Sequence, residues 1–224
     1  MNEVITKDFS YAVKDFAYLI NHDYPRKAII KIIGDRYLLN RIQRVLLSRG
    51  IFRTDELQVR AHKRTDSIRN VLLHVDTYNV LFILSNYFLG RIVFISNDGF
   101  IRDAGEIYGK LHREKIFFEA IDYLLNYIKQ SEPKEVHFLV DRSVSFSGEL
   151  AEKLRTCLDE NNMKGDARTF INPDAELIML TDGIIATSDS EIMDGTNCKI
   201  CDLPYLILNY NFNPRLPDLR KILS

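Results

Sequence analysis

Three apolar runs in this sequence each end on an aspartate. Val71-Leu72-Leu73-His74-Val75 is followed by Asp76, Val136 to Val140 by Asp141, and Ile184 to Ser188 by Asp189. Short continuous runs of β-formers read as buried strands of a parallel sheet. In open α/β sheets, sites form in the crevice at the carboxyl ends of the strands. Three carboxylates delivered there repel one another, and divalent cations with oxygen ligands relieve the repulsion. Mg²⁺ or Mn²⁺ in such a cluster activates water and stabilises charge on a phosphodiester. A single aspartate after a strand is more often a helix N-cap or turn residue, and Arg142 stands ready to neutralise Asp141. Their recurrence favours a metal site, with Asp76, Asp141 and Asp189 as ligands. Asp174, after Asn172-Pro173, opens a helix and would reach the same crevice. Asp98 lies in Asn97-Asp98-Gly99, a hairpin-turn signal, and takes a structural role. Asp103, Glu149 and Asp194 read as solvated.

The elements that must position these acids differ between the two parts of the chain. Residues 1–70 read as helical. Val4, Phe9, Val13, Phe16, Ala17 and Ile20 recur along one face of a first helix, in a segment from Met1 too mixed in charge for a signal peptide. Pro25 opens a second helix, Gly34-Asp35 punctuates, a third spans about Leu38 to Leu47, and Thr54-Asp55-Glu56 starts a fourth. From Val71 onward, strands alternate with helices, which predicts a three-layer α/β domain with a mainly parallel sheet over residues 71–224. Arg91 to Ser96 and, more weakly, Ala167 to Ile171 read as further strands of that sheet. Ile101 to Lys129, with Ile107 and Leu111, reads as one long helix, followed by helices at Ser147 to Leu158 and Asp174 to Thr181. The stretch after Tyr205 reads as irregular. No apolar run reaches the length of a membrane span, and three cysteines give no disulfide framework, so a reducing cytoplasm is expected.

The motifs carry a resemblance. His74-Val75-Asp76-Thr77-Tyr78-Asn79-Val80 resembles the opening strand of the NYN branch of PIN-like nucleases, whose motif is Asp-Gly-Tyr-Asn. Ala186-Thr187-Ser188-Asp189-Ser190 resembles the Thr-Ser-Asp stretch that supplies a later acid there. Val140-Asp141 and Pro173-Asp174 resemble the other two acid positions. The order of parts also resembles an uncharacterised, largely archaeal family in which a small helical domain bearing Tyr-Pro-Arg-Lys, here Tyr24-Pro25-Arg26-Lys27, precedes a PIN-like domain. The resemblance implies a metal-dependent ribonuclease site with Asp76, Asp141, Asp174 and Asp189 as ligands and Asn79 orienting water or phosphate. Thr77 stands where the motif has glycine, and Val80 to Leu89 carries no acid where PIN nucleases place one.

Charge is unevenly spread. Residues 1–70 hold 14 Lys and Arg against 8 Asp and Glu; the rest hold 16 against 23. The basic part suits a polyanion, with Arg41, Arg44, Arg60, Lys63 and Arg64 as candidate RNA or DNA contacts; pairing with acids of the second part is the competing use. Ser147 reads as a helix N-cap whose free N–H groups could bind phosphate. Cys198-Lys199-Ile200-Cys201 lacks the second ligand pair that zinc needs, and His74 and His137 read as hydrogen-bonded core histidines. No Gly-rich phosphate loop is present. The sequence therefore predicts a PIN-like metal-dependent ribonuclease using Mg²⁺ or Mn²⁺, with RNA or DNA as partner, no membrane, and a homodimer left open. A non-catalytic nucleic-acid-binding protein on the same fold is the alternative.

Overall fold

Amphipathic periodicity builds the first third of the molecule into four helices: α1 (Lys7–Ile20), α2 (Arg26–Arg36), α3 (Arg41–Gly50) and α4 (Thr54–Lys63). The computed structural model describes residues 4–105 and 114–224. Thr6 caps α1, Pro25 is the N-cap of α2, and the Asn40/Gln43 pair forms a capping box on α3. Gly34, expected to punctuate, lies inside α2. There an added Cβ would fall 2.1 Å from the Arg44 guanidinium, so the glycine makes room for that side chain.

The second region contains β1 (Leu72–Asp76), α5 (Thr77–Phe88), β2 (Val93–Ile95), β3 (Ile101–Asp103), α6 (Lys115–Ser131), β4 (Glu135–Asp141), α7 (Ser147–Glu160) and β5 (Gly165–Phe170). It continues through α8 (Pro173–Met179), β6 (Ile184–Ala186), α9 (Ser190–Gly195), β7 (Lys199–Cys201), α10 (Leu203–Phe212) and α11 (Arg220–Leu223). Five strands form a parallel sheet in the order β5-β4-β1-β6-β7. Side chains alternate across it, as strand geometry requires. Leu73, Val75, Phe138, Val140 and Ala186 join the cluster that includes residues of α5, α6, α7 and α10, while Leu139 and Ile185 meet Leu177 of α8 and Ile192 of α9. This is an α/β architecture with helices on both faces. Gly183, at φ +88, turns the chain into β6, where a Cβ would lie 2.7 Å from the Leu72 carbonyl oxygen.

Several expectations are corrected. The run Arg91 to Ser96 is not part of the parallel sheet: β2 pairs antiparallel with β3 in a separate hairpin around Asn97-Asp98-Gly99. Ile101, expected in a long helix, therefore opens a strand, and α6 begins at Lys115; Ile107 and Leu111 lie outside the described residues. The stretch after Tyr205 is helical through Phe212 and again at α11, and β7 had no clear pattern because it is only three residues long. The two regions share a core. Phe94 of β2 and Leu219 are fully buried with Phe9, Phe16, Leu46 and Leu47 of the helical region.

Candidate active site at the sheet switch point

The chain leaves β1 to build β4 and β5 on one side, then returns to build β6 and β7 on the other. The crevice where the order reverses lies between β1 and β6, the place at which open α/β sheets bind ligands. Asp76 ends β1 and is the N-cap residue of α5; Asp189 follows β6 and is the N-cap residue of α9. The structure thus brings these two aspartates to the two lips of the switch point.

Asp76 is buried, and its Oδ2 accepts the Thr187 hydroxyl at 2.8 Å. Removal from water pushes its carboxyl up to about 7, against the downward pull of the Thr187 hydroxyl; Asp174 and Asp189 push it further upward. Thr187 also receives the Asp189 backbone N–H at 3.0 Å, tying the two acids through one hydroxyl. Asp189 itself accepts the Glu191 N–H at 2.8 Å. Asp174, on exposed α8, titrates above its usual range through partial burial and the charges of Asp189, Glu191 and Asp141. Asp141 ends β4 beside β1 and accepts the Ser143 N–H at 2.7 Å. It helps burial hold the Tyr78 phenol up at about 12. Arg142, which follows Asp141, is exposed.

Asn79 joins two elements of the site. Its Oδ1 accepts both the Ser188 backbone N–H (3.0 Å) and the Ser188 hydroxyl (3.2 Å), stapling α5 to the end of β6. Asn79 also lines the cleft beside the switch point. Thr187, Ser188 and Glu191 join the site without having been singled out; only the Thr-Ser-Asp stretch and its neighbour two residues on could have signalled them.

The basic candidates are mostly engaged inside the molecule. Arg60 is withdrawn from any nucleic-acid contact: its side chain is 1% exposed, forks onto Asp194 at 2.7 and 2.8 Å, bonds Asp98 at 2.7 Å, and stacks 4.0 Å over Phe52. Lys63 donates to the Met193 carbonyl at 2.9 Å, capping α9. Arg64 donates to the Gly99 carbonyl and to Asp66. Arg44 donates to the Leu39 carbonyl and to Asp35. Arg41 is exposed on α3. Ser147 is a buried first helical residue rather than an N-cap; Phe146, at φ +66, takes that place. Asp98 fulfils its structural role, fully buried and forked by Arg102, which with Arg60 holds it well below the usual carboxylate range despite burial. Asp103 and Asp194, expected to be solvated, are respectively buried and paired. His137 meets Glu135 at 2.8 Å, but His74 Nε2 is buried without a partner. Cys198 and Cys201 are buried thiols.

The donors at the switch point are all oxygen, the chemistry that Mg²⁺ and Mn²⁺ select. Among the described residues, no three His, Cys, Asp or Glu side chains are gathered closely enough to hold a metal ion. The expected three-carboxylate cage of Asp76, Asp141 and Asp189 is therefore not preformed. Mg²⁺ commonly takes one or two carboxylates and completes its shell with water and substrate phosphate, and Asp76 with Asp189 fits that looser requirement.

Fold and site together define an α/β protein of doubly wound type with carboxylates at its switch point, preceded by a helical region. Residues 65–205 match the family described as "Domain of unknown function (DUF5616)", and residues 8–63 match "Protein of unknown function (DUF434)". An uncharacterised protein of Methanocaldococcus jannaschii, MJ0935, is 30% identical over 190 residues, covering 84% of this chain and 90% of the relative. The chain belongs to the DUF5616 family. No solved structure matches it. No helix among the described residues is long and apolar enough to cross a membrane.

Proposed function

We propose that the protein hydrolyses phosphodiester bonds in RNA at a PIN-like site that depends on Mg²⁺ or Mn²⁺. The observation that carries this reading is the place of Asp76, a mostly buried carboxylate at the switch point, raised to a pKa of about 7 by burial and by neighbouring acids. A perturbed acid set in a crevice is a candidate for a functional site, and it is the switch-point position that separates Asp76 from Asp202, which burial raises equally. A divalent cation, when bound, stabilises charge on a phosphoryl oxygen and lowers the pKa of water. Asp76 and Asp189 would hold it, with Asp141 and Asp174 bordering the site. Thr187 orients the Asp76 carboxylate, and Asn79 lines the adjoining cleft.

Calorimetric Mn²⁺ titration of the wild type and of Asp76→Asn with Asp189→Asn, followed by incubation with RNA pools, tests the reading. Binding and cleavage in the wild type, both lost in the double variant, are expected. Cleavage that persists in the variant, or a wild type that fails to bind Mn²⁺ both with and without RNA, removes the assignment. A non-catalytic nucleic-acid-binding role is favoured by one observation, the absence of a gathered three-acid group among the described residues. RNA binding that survives chelation, without cleavage under either metal, would select it.

A further inference from the structure

A cleft of about 270 Å³ runs from the switch point to the helical region. One wall carries Asn79, Ser188 and Asp189; the other carries Arg26, Arg49 and Phe52. We infer that this cleft is a phosphate-ester subsite headed by Arg26, which takes the phosphate of a nucleotide lying beside the scissile bond. The inference rests on the phosphodiesterase reading for the identity of the bond, and on Arg26 alone for the phosphate.

Arg26 differs from the other buried-side arginines in having no counterion. The guanidiniums of Arg60 and Arg102 are forked onto Asp194 and Asp98, and Arg49 reaches Asp103 at 3.5 Å. Half-buried Arg26 donates one N–H to the Ser48 carbonyl at 2.8 Å and lies 5.4 and 5.8 Å from the ring centres of Phe52 and Phe16. Among the described residues no carboxylate lies within ion-pair distance of it. A guanidinium has five N–H donors in a planar fork that matches phosphate. Of the carboxylates that share the cleft, Asp194 is paired with Arg60, while Glu56 and Asp189 accept the backbone N–H groups of Arg53 and Glu191. Burial lowers the pKa of Arg26, the Glu56 charge opposes that, and the Arg60 and Arg102 charges add to the lowering.

Position reinforces the chemistry. Pro25, at φ −61, sets Arg26 as the first residue of α2, so the Tyr-Pro-Arg-Lys stretch delivers this side chain from a rigid helix start. The volume lies just under the roughly 300–1,000 Å³ of small-molecule sites and suits a nucleotide-sized group better than a duplex.

The full chain is titrated calorimetrically with inorganic phosphate, with adenosine monophosphate, and with short RNA oligomers bearing either a 5′-phosphate or a 5′-hydroxyl. The proposal expects wild-type binding of the phosphorylated probes. Arg26→Gln should weaken it at least tenfold, and Arg26→Lys, which keeps the charge but not the fork, should restore only part. Phosphorylated RNA binding more tightly than the mononucleotide identifies a strand end as the source; equal binding identifies a free nucleotide. Should Arg26→Gln fold poorly, thermal protection of the wild type by phosphate over chloride at matched ionic strength gives the answer. Equal affinity in Arg26→Gln, or no wild-type binding or protection by any phosphorylated probe, overturns the subsite. Phosphate binding retained alongside failed Mn²⁺ binding and cleavage would sink the nuclease reading and leave this one standing.

Discussion

Asp76 holds a proton to about pH 7 because burial strips its water and because Asp174 and Asp189 push in the same direction. The unfolded chain releases that proton near 3.8, so the metal-free fold binds more protons than the unfolded state between these values. Stability from this residue is full below pH 4 and falls as pH rises toward 7, by on the order of 4 kcal/mol for a shift of this size. Metal-free Asp76→Asn should therefore melt several degrees higher than the wild type at pH 8 and lose that advantage at pH 4. Thermal melts at the two pH values check this, and an Asn variant equally or less stable at pH 8 would mean the carboxylate is well satisfied as it stands. His74 works in the opposite sense. Burial, then the His137 charge, lowers its pKa, so the unfolded state takes up the extra proton and stability is lost as pH falls below 6.5. His74→Leu should flatten the acid limb of the stability profile between about pH 6.5 and 5. Asp76, Asp141 and Asp189 were legible in the sequence because each lies at or just past the end of a strand. The partner of Asp76 was not, because Thr187 lies 111 residues away and only the β1–β6 pairing brings it in.

Arg60 links three elements that have no reason to meet in sequence. From α4 it reaches the hairpin turn at Asp98 and the end of α9 at Asp194, over the face of Phe52. Breaking a buried pair by removing one partner costs about 3–5 kcal/mol. Arg60→Met should lower the melting temperature by roughly 6–20 °C, leaving the salt dependence of any RNA affinity unchanged. An unaltered melt with a shallower salt slope would instead return Arg60 to the nucleic-acid surface. Here helical periodicity gave α4 and the Asn-Asp-Gly signal gave the turn. That Arg49, Arg60 and Arg69 pair with acids of the second region could not be read from charge counts, since counts carry no distances. The Arg91 to Ser96 strand was assigned to the parallel sheet because a short apolar run is compatible with either a parallel or an antiparallel strand.

The whole molecule depends on a core shared between its regions. Phe94, from the hairpin, and Leu219, near the C-terminus, are fully buried among α1 and α3 residues. An added Cβ at Gly50 would lie 2.5 Å from the Phe94 ring. Phe94→Ala should cost about 3–5 kcal/mol and lower a single unfolding transition; two separate denaturant transitions in the wild type would show that the helical region folds by itself. The sequence by itself determined the elements whose signals are local: the amphipathic helices, the buried strands, and the acids at strand ends, since periodicity and strand polarity are properties of neighbouring residues. The tertiary structure alone decided which ends adjoin. Sheet order placed Asp76 beside the Thr187–Asp189 segment, turned Arg60 inward, and left Arg26 facing the cleft without a counterion, because contacts between residues far apart in sequence are set by packing and topology, which no local pattern encodes.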